Sequence, residues 1–211
     1  QFRTPTDQPL ELSLLLCWRN TVGWFTNTDA AAEVHFRDDG SPEHNYAPAI
    51  GRGEGQRNRQ VDQPGLRGVL LEGQPSVPLA EGEGQWCLAL PDDLDGVQVM
   101  RCSRWDPTGD GSELWTPFSA DGRIPDSNND RASRSGEQAS AAIAVTFTLA
   151  PGASREIPLV ISWDLPVTAF ASGSGALRRY TGFFGSSGSK AAASAAEALR
   201  DWRQWREQID A

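Results

Sequence analysis

The acidic side chains of Trp105–Trp115, "WDPTGDGSELW", are those whose types and spacing come nearest to a known chemistry. Calcium binding is one candidate. An EF-hand loop places oxygen ligands at positions one, three, five, seven, nine and twelve, with glycine at six. Counted from Asp106, position three is Thr108, five is Asp110 and six is Gly111, but the closing ligand position falls on Pro117. A proline side chain cannot ligate, so the loop fails at the residue that must complete the site. Glycoside hydrolysis is the other candidate, because it needs only two carboxyl groups at a fixed separation. Asp106, Asp110 and Glu113 offer pairs, as do Asp92/Asp93 and Asp121/Asp126. A general acid, however, needs surroundings that raise its pKa. Each of these acids sits in a polar, turn-like stretch where carboxylates bond local backbone N–H groups. Asp106 before Pro107, followed by Gly109 and Gly111, is turn chemistry that needs no metal.

The remaining constellations are weaker. His35, Asp38, Asp39 and His44 lie in a polar stretch without the convergence that a zinc site requires. "GRGEG" (Gly51–Gly55) is followed by "QRNRQVDQPG" instead of a helical pattern, so it is not a dinucleotide fingerprint. "SGSGA" (Ser172–Ala176) resembles a nucleophile elbow only in composition, and both histidines lie far upstream. No catalytic, cofactor-binding or metal-ligating residue is assigned on this basis, and no cofactor is expected.

The elements that must position any site come next. A chain of 211 residues allows one large domain, and 38% apolar residues are enough for a buried core. A formal charge of −9 argues against nucleic acid or an anionic membrane as the main partner. No segment is apolar for long enough to span a bilayer. The N-terminus lacks a signal-peptide pattern, and it also lacks an initiator Met, which points to a processed chain or a fragment. Cys17, Cys87 and Cys102 each lie in an apolar run and read as reduced, buried thiols of a cytoplasmic protein.

Leu10, Leu12, Leu14, Leu16 and Trp18 alternate as a strand does, with Leu15 and Cys17 making the second face apolar. A central strand covered on both sides is expected there. Ala30–Gly65 reads as a long surface loop or a pair of hairpins, and Pro117–Ser140 as surface. Short strands are expected at Arg67–Gly73, Gln85–Leu90 and Val97–Trp105. Ile143, Val145, Phe147 and Leu149, then Ile157, Leu159, Ile161 and Trp163, predict a long β-hairpin with both strands in one core. The last element is a helix capped by Ser189, with Ala195, Ala198, Trp202, Trp205 and Ile209 as its apolar stripe. The whole is a mainly β chain: an antiparallel two-sheet β-sandwich over 1–170, a linker over 171–188, and an amphipathic α-helix over 189–211. The eight tryptophans default to core or interface packing where they lie on apolar faces.

Several segments, in order, resemble the N-terminal domain of glycoside hydrolase family 116, the non-lysosomal glucosylceramidase or bile-acid β-glucosidase group. They are "PLELSLLLCWRN", "GVLL", "WDPTGDGSELWTPFSADGRIPD", "LAPGASREIPLVISWDLP" and "RRYTGFFG", followed by the Trp-bearing helix. The resemblance implies a non-catalytic β-sandwich joined to an (α/α)6 catalytic barrel that carries a Glu nucleophile and an Asp acid/base. Neither position lies in this chain, so the chain alone is expected to be inactive. It further implies a sandwich incomplete at its N-terminus and a helix cut where it leads into the barrel. The expected barrel contacts are Arg178, Arg179, Tyr180, Phe183, Phe184, Trp202 and Trp205, which combine apolar area with Arg. The substrate implied for the intact enzyme is a β-glucoside or glucosylated lipid. Two competing readings are a free-standing carbohydrate-binding module and a small hydrolase using Asp106, Asp110 or Glu113.

Overall fold

The computed structural model describes residues 2–3, 7–24, 33–45, 53–169 and 175–210. Strands β1 (Phe2–Arg3), β2 (Leu10–Arg19), β3 (Glu33–Phe36), β4 (Pro42–Asn45), β5 (Arg57–Gln63), β6 (Leu66–Glu72), β7 (Gln85–Leu90) and β8 (Val97–Trp105) precede helix α1 (Ser112–Asp121). Strands β9 (Ser140–Leu149), β10 (Ser154–Arg155), β11 (Val160–Asp164), β12 (Val167–Ala169) and β13 (Gly175–Leu177) follow. A short helix α2 (Thr181–Phe184) and a long helix α3 (Ala191–Asp210) end the chain. Two antiparallel sheets dominate, ordered β11-β7-β6-β5 and β2-β9-β8.

Side-chain alternation along these strands produces four layers. Ala141, Ile143 and Val145 of β9 face Val69 and Leu71 of β6 and Leu88 and Leu90 of β7, forming the core between the sheets. The residues between them, Ala142 and Ala144, turn outward with Met100 and Cys102 against Leu114 of α1 and Ile124. On the far side of the other sheet, Leu66, Leu70, Cys87 and Ala89 pack under Ala191, Ala195 and Leu199 of α3. The order is therefore helix, four-stranded sheet, three-stranded sheet, helix. Burial on both faces explains why β9 reads as a nearly continuous apolar run.

This is the expected antiparallel sandwich with a C-terminal helix, but several elements differ from expectation. The predicted hairpin does not form: β9 pairs with β2 and β8, whereas β11 pairs with β7 in the opposite sheet. Alternation marks a buried face and does not choose a pairing partner. Ile157, Leu159 and Ile161 do join Ile143 and Val145 in one core, across the sandwich instead of along a sheet. Among the described residues β2 is an edge strand, half-buried along most of its length, not a central one.

The polar stretch Ala30–Gly65 holds the β3–β4 hairpin and, beyond it, the ladder strand β5. "RNRQVDQ" escapes a hydropathy reading because Asn58 is buried for its hydrogen bonds. The supposedly superficial Pro117–Ser140 carries the end of α1, and it buries Ile124 and Ser133. Helix α3 buries Ala191, Ala195 and Leu199, while Ile209 is 83% exposed, so the sheet covers only its first half. Ser189 Oγ lies 2.7 Å from Ser187 Oγ, and the side chain that meets the helix start is Asp164, which accepts the Lys190 N–H at 2.8 Å.

Candidate functional site

The strands of the two sheets share one polarity of connection. At one end they are joined by the short segments 64–65, 91–96 and 150–159. At the other end lie 20–24, 53–56, 73–84, 106–139, 165–169 and 175–190, so among the described residues most of the irregular chain gathers there. A rigid scaffold with its long connections at one end is the usual placement of binding surfaces.

Buried polar side chains fix this end. Asn20 Nδ2 donates to Asn58 Oδ1 at 2.8 Å and to the Glu72 carbonyl at 2.9 Å, while Asn20 Oδ1 accepts the Val22 N–H at 3.0 Å. Gln56 Nε2 donates to the Val22 carbonyl at 2.7 Å, and the Gln56 N–H is accepted by Ser133 Oγ at 2.9 Å. Glu83 Oε2 accepts Ser76 Oγ–H at 2.6 Å and the N–H groups of Ser76 and Ala80, each at 2.9 Å. Because an unpaired buried donor is costly, these bonds dictate where the loops cross.

Asp164, the last residue of β11, is 1% exposed. Its Oδ1 accepts the Tyr180 hydroxyl at 2.9 Å and its Oδ2 accepts the Lys190 N–H at 2.8 Å, tying the α2 segment and the start of α3 to the sheet. Ser162 Oγ adds a bond of 2.7 Å to the Ala191 carbonyl. Burial first, then the Asp164 carboxylate, hold the Tyr180 phenol well above the ordinary tyrosine range. Gly84, at φ 143°, passes so close that a Cβ there would stand 1.9 Å from the Asp164 carbonyl. Only glycine fits.

Beside this clasp runs a groove of about 410 Å³ between β11, α2 and α3, lined by Ile161, Trp163, Tyr180, Phe184, Ala198 and Trp205 among others. Trp163 continues a line of indoles from the core, with Trp18 to Trp86 at 5.3 Å and Trp86 to Trp163 at 5.6 Å. It ends 53% exposed, although its strand predicted an inward face, and Trp205 is 43% exposed. Of the residues predicted as contacts, Tyr180, Phe184 and Trp205 line this groove, while Arg178, Arg179 and Phe183 stand exposed beside it. Trp202 is not among its lining residues, although it shares a wider groove with Phe184. It lines a neighbouring groove with Ile157, Pro158 and Arg206, and its ring lies 5.0 Å from the Arg203 guanidinium carbon.

The acids that open the sequence reading act as turn formers and caps. Asp106 Oδ1 accepts the Thr108 Oγ1–H at 2.6 Å and the Thr108 N–H at 2.9 Å, and Asp110 Oδ1 accepts the Ser112 N–H at 2.9 Å. These bonds hold both carboxyls below their usual range, the opposite of what a general acid needs. Glu113 Oε1, in the first turn of α1, accepts the Asp106 N–H at 2.6 Å. Asp92 caps Gly65 at 3.0 Å, Asp121 accepts the Arg123 N–H at 3.0 Å, and Asp126 accepts the Arg101 N–H at 3.1 Å.

Glu137, which sequence reasoning passed over, accepts Arg131 Nη1–H at 2.8 Å, the Arg134 N–H at 2.8 Å and Arg104 Nη2–H at 3.3 Å. These partners, Arg131 first, lower its pKa to about 2. Among the described residues no three His, Cys, Asp or Glu side chains are placed to hold a metal ion. The side chains of His35 and His44, and most of "SGSGA", lie outside the described residues.

The thiols are free, and burial pushes Cys17 up to about 11 and Cys87 to about 12, with Cys102 also raised. Cys17 and Cys102 both register opposite Ala142, from strands on either side of β9. That places their Cα atoms roughly 10 Å apart, too far for a disulfide.

The result is a two-sheet body whose polar side chains shape its loops, with aromatic rings presented beside the final helix. Comparison with protein families bears on this directly. The family model described as beta-glucosidase 2, glycosyl-hydrolase family 116 N-term, matches residues 1–205, nearly the whole chain. The chain belongs to the family of N-terminal domains of family 116 glycoside hydrolases.

Proposed function

We propose that this chain is the non-catalytic β-sandwich domain of a cytoplasmic retaining β-glucosidase or glucosylceramidase, and that it packs against a helical-barrel catalytic domain of the same protein. The observation that carries the reading is the groove between β11, α2 and α3, where Trp163 and Trp205 leave about half of each ring open to solvent in one continuous concave surface. Large aromatic rings with flanking arginines are the composition of interface centres. Arg178 and Arg179, exposed and next in sequence to Tyr180, would supply its rim. The acid loop supports the same reading, since Asp106 and Asp110 each give one oxygen to a local N–H group that holds the carboxyl below its usual range. The chain alone should not turn over an aryl β-glucoside.

The test is the double substitution Trp163→Ser with Trp205→Ser in the intact enzyme. It should lower the melting temperature and activity of the enzyme and open a protease-sensitive site between the domains. Each ring is about half exposed in the 211-residue chain, so the same pair should lower the stability of that chain less than that of the intact enzyme. An intact enzyme with unchanged melting temperature and activity would overturn the docking.

A further inference from the structure

On the far side of the molecule from α3, the acid loop, the end of β8 and the segment before β9 enclose a second groove of about 360 Å³. Its lining includes Trp105, Asp106, Glu113, Asn129, Arg131 and Glu137. The volume suits a single small polar ligand. The lining is planar amide, carboxylate and guanidinium groups around one indole, with donors and acceptors side by side.

The hydrogen-bond inventory shows which groups are spent. Asp106 and Glu113 each use one carboxylate oxygen on the loop itself, and Asn129 uses its Oδ1 on the Arg131 N–H. Among the described residues the second oxygens of Asp106 and Glu113 and the Asn129 Nδ2 have no protein partner. Arg131 and Arg104 are both engaged by Glu137, which removes the free cationic fork that a phosphate or carboxylate ligand would need. What remains is two carboxylate acceptors, one amide donor, the buried and unpaired Trp105 Nε1 and Gln138 Oε1, and an aromatic wall. Neighbouring hydroxyl groups on an uncharged ring match that set: each O–H donates to a carboxylate oxygen, and a ring oxygen accepts from an amide.

We propose that this groove is a non-catalytic binding site for a pyranose sugar. It is separate from the β11–α3 groove and does not depend on docking. The sugar can come from a soluble glycoside or from a glycolipid headgroup, and the pyranose ring is common to both.

The experiment titrates methyl β-D-glucopyranoside into the full 211-residue chain, followed by calorimetry or tryptophan fluorescence. Saturable binding with Kd on the order of 1 mM is expected. Asp106→Asn keeps an oxygen for the Thr108 turn but replaces the free acceptor with a donor. It should weaken binding about tenfold or more, as loss of a hydrogen bond to a charged group does. Trp163→Ser, in the other groove, should leave Kd unchanged. A parallel arm uses phosphatidylcholine vesicles with and without a β-glucosyl lipid. Retention on the glucosylated vesicles assigns the groove to a headgroup, and binding of the soluble glycoside alone assigns it to free sugar. Absence of saturable binding, wild-type affinity in Asp106→Asn, or preferential binding of inorganic phosphate would each overturn the proposal. None of these results bears on the docking test.

Discussion

A carboxylate withdrawn from water is tolerated only when its oxygens are matched by donors, and Asp164 is matched at both. One donor is the backbone N–H of Lys190 and the other is the Tyr180 hydroxyl, from a segment sixteen residues away in the chain. The two bonds differ in what their loss leaves behind. Tyr180→Phe removes one partner of a half-buried pair and lets water approach the freed oxygen. It should cost about 1 kcal/mol in urea unfolding. Asp164→Ala strands a backbone N–H and a phenol together beside a packed helix start, and about 3 kcal/mol is expected. Equal losses in the two variants would show that Asp164 is not the hub. The sequence marks this residue only as the Asp before Leu165–Pro166 at the end of an apolar strand. That position signals a strand stop and nothing about the two partners, which come from chain segments the strand pattern does not reach.

At the scale of elements, α3 separates packing from mere amphipathicity. The stripe read from the sequence runs down one face to Ile209, yet the sheet beneath ends near Leu199, which is 7% exposed against Leu66 and Leu70. Leu199→Ala opens a cavity between helix and sheet and should destabilise the chain by about 2–4 kcal/mol in denaturant unfolding. Ile209→Ala, on the same predicted stripe but in solvent, should stay within about 0.5 kcal/mol. Comparable effects would mean that the second half of the helix is also packed.

The strands that alternate were legible because a half-buried ladder leaves a period of two: β2, β7, β8 and β9 all lie where their apolar runs stand. What alternation lacks is partner information, and so Ile143–Leu149 and Ile157–Trp163 read as a hairpin although they belong to facing sheets. β5 was hidden because Val61 is its one alkyl side chain packed against the core and its fully buried position, Asn58, is an amide. α1 was hidden for other reasons. It is short, it carries Pro117 in its interior, and it starts from Gly111 at φ 74° with no side-chain cap. At the candidate site the aromatics of "RRYTGFF" could be named from composition. The groove that joins them to Trp163 could not, because it needs the end of β11 and the start of α3 brought together by Asp164.

For the whole molecule, the four layers imply that stability is distributed unequally. β9 lies between two strands in its sheet and between two packed layers, so its backbone should open only with the global transition. The β12–β13 pair and α2 sit at the periphery, where the residues of β13 are exposed and α2 buries none. Native-state hydrogen exchange on the 211-residue chain should therefore find the slowest amides over Ala142–Val145. Exchange orders of magnitude faster is expected over Val167–Ala169 and Thr181–Phe184. Docking, if it occurs where proposed, acts on the second group and not on the first. In the intact enzyme, protection over Thr181–Phe184 and Trp163 should rise, while that of Ala142–Val145, already closed on both faces, stays governed by global unfolding. A rise confined to the short-turn end, at 91–96 and 150–156, would place the catalytic partner on the opposite end of the sandwich. That result would remove the exposed indoles from the interface altogether.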